Sequence, residues 1–205
     1  VAQQSIRQLT GEVPSQRECE ESLYLAGRRY LMDQSVVGSA AEDQVKWWYW
    51  NPETRAMSPV WLTPRTVARN RGFRRAKDLI DLNPTDRDYQ KLYWVARLES
   101  AKLTAGVGRP LPAAVLNTLV ESIQPDMASE VLEESLKLRR VPASIAACEV
   151  IGGIVRSGNP ATVDYLASTD QSASPLVRAL DFGSVRLTNA ACNTIHEINP
   201  QQPFV

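Results

Sequence analysis

Histidine occurs once in this chain and cysteine three times. Cys19, Cys148 and Cys192 form no Cys-x-x-Cys or other close pair, so a zinc site, which draws several ligands from these residue types, has too few to build on. An odd number of cysteines cannot pair fully within one chain, and free, buried thiols are expected. That suits a reducing compartment, although three thiols do not fix a location. Net charge is lacking too. With 23 basic residues against 23 acidic ones there is no global field to draw the protein to nucleic acid or an anionic membrane, and any electrostatic binding has to be local. Long apolar runs are missing as well: Ile145 to Val155, among the longest, is broken by Glu149 and two glycines and falls short of the roughly 20 residues that span a bilayer. No membrane insertion is expected.

Catalytic motifs are equally scarce. Neither Gly-x-Ser-x-Gly nor His-Glu-x-x-His occurs, and Gly106-Val107-Gly108 lacks the spacing of a dinucleotide or phosphate loop. Cys192 and His196 stand four apart on one predicted helix, but no third group orients the pair, so the spacing reads as incidental. The expectation is a protein that is not an enzyme and uses no cofactor. The chain begins at Val1 with neither a methionine nor an apolar leader, as an excised segment or a mature exported protein would.

Prolines are what the chain has in quantity, and they fall at helix-sized intervals. Thr63-Pro64, Asn83-Pro84 and Asn159-Pro160 each place an oxygen acceptor at a candidate N-cap and a proline at N1, where its missing N–H costs nothing. All three predict helix starts. Apolar spacing between prolines is helical, as in Ile145, Cys148, Ile151, Ile154 and Val155, and the runs Glu20 to Met32 and Tyr89 to Leu103 predict amphipathic helices. Alternating segments are nearly absent, so at most a trace of strand is expected. The stretch from Gln34 to Pro64 reads as a long connection between helices.

Internal repetition is the strongest signal. Placing Ala146-Ala147-Cys148 on Ala190-Ala191-Cys192 gives an offset of 44 residues (190 − 146). Asp126 then meets Asp170, Leu132 meets Leu176, Leu136 meets Leu180, Val141 meets Val185, Ile151 meets Ile195 and Ile154 meets Ile198. Nine of thirty positions are identical, where unrelated sequences match at roughly one in fifteen to twenty. The matched residues are mostly small or aliphatic, so what recurs is a packing pattern. A helical unit of this length resembles a HEAT or armadillo repeat. The last unit carries the likeness in Pro175 to Leu180, then Asp181, Val185-Arg186, Ala190, Ala191, Ile195 and Ile198.

The resemblance, over roughly Leu111 to Pro200, implies an all-α fold, an α-α superhelix or short solenoid, with Asp181 and Arg186 supporting the turn between helices. The earlier unit has Lys137 and Val141-Pro142 at those places, so its turn has to be held otherwise. Gly72-Phe73-Arg74-Arg75-Ala76 with Leu79, Leu82 and Asn83-Pro84 is faintly similar to the second helix of a tetratricopeptide repeat, with too long a spacing to the proline. Two regions follow: an N-terminal helical part over 1–110 with its aromatic-rich connection, and repeats over 111–205. Because no polar capping helix follows Pro200, a piece of a longer protein is expected.

The most unusual feature is Trp47, Trp48, Tyr49 and Trp50, preceded by Lys46, since four consecutive aromatics cannot all point inward from one element. They either anchor a loop across the helices or form a partner surface, as tryptophan and tyrosine do at interface hot spots. Trp61 and the basic run Arg65, Arg69, Arg71, Arg74, Arg75 and Lys77 lie beside them. Such a neighbourhood can hold phosphates, while the nearby Asp78 and Asp81 allow a solvated, ion-paired face instead. Glu121, Asp126, Glu130, Glu133 and Glu134 make an acidic strip, partly explained by the helix macrodipole. The expected function is a non-catalytic scaffold binding protein through Trp47, Trp48, Tyr49, Trp50, Trp61, Arg65, Arg69, Arg74 and Arg75. The alternatives are nucleic-acid binding by the same basic-aromatic patch, or a small-molecule pocket among the tryptophans.

Overall fold

A computed structural model describes residues 11–34, 43–158 and 174–199. Asn159-Pro160, Asp170, Pro200 and the final Phe204-Val205 lie outside these residues. The chain divides into two compact units, Val1–Tyr89 and Gln90–Val205. The described residues are mostly helical, with one two-stranded sheet that the sequence pattern does not announce.

In the first unit, α1 (Gln16–Leu31) opens on a capping box: Ser15 Oγ accepts from the Glu18 backbone N–H while the Glu18 carboxylate accepts from the Ser15 N–H at 2.7 Å. Its last turn carries Arg28 and Arg29, favourable at the negative end of the helix dipole. The expected connection between helices instead contains an antiparallel hairpin, β1 (Val45–Asn51) and β2 (Ala56–Leu62). Its turn is built by Asn51, whose Oδ1 accepts from the backbone N–H of Glu53 (2.9 Å) and Thr54 (3.4 Å), and by Arg55 in the left-handed region at φ 50°. Pro59 is tolerated because both strands of a two-stranded ribbon are edges.

The predicted start at Thr63-Pro64 is realised: Thr63 Oγ1 accepts from the Thr66 N–H, and Pro64 is the first residue of α2 (Pro64–Leu82). This helix buries Val67, Ala68, Gly72, Ala76 and Leu79. Gly72 sits where a Cβ would lie 3.2 Å from Leu31 Cγ, so the missing side chain lets α1 and α2 approach. Asn83-Pro84 does the opposite of what was expected. Asn83 is the C-cap of α2, its N–H bonded to Leu79 O, with φ −144° and ψ 84°, since a following proline disfavours the helical region. The next helix, α3 (Arg87–Ala105), is capped by Asp86, whose Oδ1 accepts from the Asp88 and Tyr89 N–H groups.

The second unit contains α3 from Gln90 on, α4 (Ala113–Ser122), α5 (Pro125–Lys137), α6 (Val141–Arg156), α7 (Pro175–Leu180) and α8 (Val185–Ile198). Its core is one continuous cluster with α6 at the centre. That helix is buried without interruption from Ala143 to Cys148 and packs on α4, α5 and α8, as its nearly all-round apolar sequence requires. Helices α6 and α8 begin 44 residues apart (185 − 141), the interval of the internal repeat.

The two helix turns are held differently. Between α5 and α6, Arg139 adopts φ 53° and the Arg140 N–H returns to Ser135 O at 2.8 Å. The buried Arg140 guanidinium there grips Glu99 of α3 through both carboxylate oxygens, at 2.5 and 3.2 Å. Ser135 and Ser144 hydroxyls close the same corner at 2.8 Å. Between α7 and α8, Thr188 Oγ1 donates to Leu180 O at 2.9 Å. This bond ties the first turn of α8 to the end of α7, and Asp181 and Arg186 form no ion pair with each other among the described residues.

Candidate functional site

Strand geometry resolves the run of four aromatics. Successive side chains leave opposite faces of a strand, so Val45, Trp47 and Tyr49 share one face of the hairpin with Ser58, Val60 and Leu62. Val45, Trp47 and Leu62 pack on Val67 and Ala68 of α2, and the Arg74 guanidinium lies 4.7 Å from the Trp47 ring centre. Trp47 is therefore a structural anchor. Tyr49 belongs to the inner face by register but sits toward the turn and remains exposed.

The outer face holds Lys46, Trp48, Trp50, Met57, Pro59 and Trp61. Directly opposed pairs are Lys46 with Trp61, Trp48 with Pro59, and Trp50 with Met57, so these groups are immediate neighbours across the ribbon. Exposure is 48% for Trp48, 58% for Trp50, 52% for Met57 and 60% for Trp61. A contiguous apolar face of large side chains left in water is uncommon unless something binds it. The Lys46 ammonium rests 4.7 Å from the Trp48 ring centre and puts a positive charge at its margin.

The arginines do not gather on that face. Arg65 pairs with Asp33 at 3.2 Å and Arg75 with Asp78 at 3.7 Å, while Lys77 pairs with Asp81 at 2.9 Å. Arg74 stacks on the inner Trp47, and Arg69 is half-buried. The site thus keeps Trp48, Trp50 and Trp61 of the expected residues and adds Lys46, Met57 and Pro59. Two-residue alternation from Trp48 reaches Lys46, and the same alternation from Trp61 reaches Pro59 and Met57; only the pairing of the two strands puts both sets on one face.

In the second unit, burial and then the adjacent Glu149 carboxylate push the Cys148 thiol far above its ordinary range, leaving an inert thiol. Cys19 and Cys192 are half-buried, which corrects the expectation that all three thiols are buried: both lie on helix flanks that the core does not cover fully. Within the acidic strip, Glu133 is paired with Lys137 (2.9 Å) and Arg178 (3.5 Å). No cluster of three or more histidine, cysteine or acidic residues suited to a metal occurs among the described residues. None of the described helices is long and apolar enough to cross a membrane. Comparison with known protein families, curated proteins and solved structures returned no match for this chain.

Proposed function

We propose that this chain is a non-catalytic protein-binding module, a short helical-repeat scaffold of the HEAT or armadillo kind. Its hairpin offers Trp48, Trp50 and Trp61 to a segment of a partner protein. The observation that carries the reading is the division of labour across the ribbon. The inner face is already engaged with α2, whereas three tryptophans and a methionine on the outer face stay largely in water. Tryptophans enclosed on binding supply much of the energy at protein interfaces, and the rigid indole loses little conformational freedom there. The 44-residue interval between the starts of α6 and α8 supports the repeat part of the reading.

Nucleic-acid binding is the less favoured reading, because Arg65 and Arg75 already face aspartates and Arg74 is stacked on the inner tryptophan. A triple variant, Trp48→Ser, Trp50→Ser and Trp61→Ser, tests the proposal in quantitative affinity capture beside the wild-type chain. Proteins held by the wild type are expected to be lost from the variant while its circular dichroism stays native. An unchanged set of captured proteins sinks the proposal. Tight, salt-dependent binding of single-stranded oligonucleotides that is weakened by alanine at Arg65, Arg69, Arg74 and Arg75 replaces it with the nucleic-acid reading.

A further inference from the structure

The second unit contains a cleft of about 390 Å³ between the segment after α3, the middle of α6 and one side of α8. Small-molecule pockets span about 300–1,000 Å³, so the space suits a compact ligand and not a chain segment. Arg186, Asn189, Asn193 and Glu197 recur on α8 at spacings that put them on one stripe, and all four line the cleft. Behind them, Lys102 is only 1% exposed. Its ammonium is ion-paired with Glu149 and donates to Arg109 O at 2.7 Å, while the second Glu149 oxygen accepts from the Leu111 N–H at 3.1 Å.

Lining charges do not balance. The cations are Lys102, Arg109, Arg156 and Arg186, and the carboxylates are Glu149 and Glu197, four against two. Lys102 satisfies Glu149 and Arg156 satisfies Glu197. Arg109 and Arg186 have no carboxylate partner among the described residues, and the Arg186 guanidinium lies over Gly108 at the cleft wall. An ammonium has three protons, and Lys102 spends two on Glu149 and Arg109 O. The cleft therefore presents two guanidinium forks and two carboxamides against an apolar wall of Val107, Leu116 and Ile145, with the Lys102–Glu149 pair buried behind them.

We propose that this cleft binds a small phosphomonoester. A phosphate ester carries nearly two negative charges near neutrality, which matches the surplus of two cations, and its three oxygens accept from the forks of Arg109 and Arg186. The two carboxamides add neutral donors, and the apolar wall takes the organic part. This site is separate from the hairpin, so each stands or falls alone.

Phenyl phosphate is the probe, titrated calorimetrically into the full chain with phenol and succinate beside it. Saturable binding of phenyl phosphate that neither control matches is expected. Arg109→Gln and Arg186→Gln should each weaken it by about tenfold and the pair should abolish it, since each removes a charge-assisted fork. Both side chains are exposed, so these variants should keep native circular dichroism. Arg178→Gln, away from the cleft, and the triple tryptophan variant should bind as the wild type does. Failure of the wild type to bind, equal binding by the double variant, or tighter binding of succinate each overturns the proposal.

Discussion

The two units treat large apolar side chains in opposite ways. Four of the five tryptophans belong to the hairpin of the first unit, and three of those four stand in water. The second unit buries its single Trp94 and sinks most of a helix, α6, into one continuous core. A hairpin lying on one helix has only one face to bury, so its other face is free to be selected for contact. A helix enclosed by neighbours has no such freedom. Stability should therefore be concentrated in the second unit, and recognition of a partner in the first.

The sharpest way to break this contrast is to disturb the buried ion pair. Glu99→Ala leaves the Arg140 charge enclosed, and a loss of about 3–5 kcal/mol of stability is expected by urea titration. Replacing both partners with leucine and methionine should recover most of that loss. Ile151→Ala, at the centre of the core, should cost about 2–5 kcal/mol. In the first unit Trp47→Ala should cost less, about 1–2 kcal/mol, because the indole is only half-buried. On the other side of the same strand, Trp50→Ser should stay within about 0.5 kcal/mol. Equal losses at Trp47 and Trp50 would erase the distinction between the two hairpin faces.

The smallest expected effect concerns acid. The hydrogen bond from Lys137, helped by the charges of Lys137 and Arg178, holds the Glu133 carboxyl below the usual glutamate range. Its folded value being lower than its unfolded one, the ionised group adds stability above the ordinary value. That contribution disappears as pH falls through the depressed folded value. Glu133→Gln should be slightly less stable at neutral pH and should approach the wild type on acidification, read from urea midpoints at both pH values.

What could be read from the sequence depended on whether neighbours along the chain decide the outcome. Thr63-Pro64 and Asn83-Pro84 look alike, yet one starts a helix and the other ends one. The difference lies downstream, where Asp86, three residues past Asn83, accepts from the first free N–H groups of α3. The 44-residue recurrence reappears in the starts of α6 and α8, because helix boundaries follow local apolar spacing. The hairpin escaped notice because its outer face is aromatic instead of polar, which erases the alternation that marks a half-buried strand. Pairing of Arg65 with Asp33 joins residues distant in sequence, and no spacing on α2 could reveal it. The cleft was hidden for the same reason, since Lys102, Arg109, Glu149 and Arg186 come from four separate segments.

The uneven placement of tryptophan also makes the molecule its own optical gauge. Indole emission depends on surrounding water, and here most of the signal originates in one ribbon while Trp94 alone speaks for the helical core. A Trp94→Phe chain would draw all of its indole emission from the hairpin. Its red-shifted glow should turn blue and resist quenching by iodide when a partner covers the outer face, reporting occupancy without any attached dye.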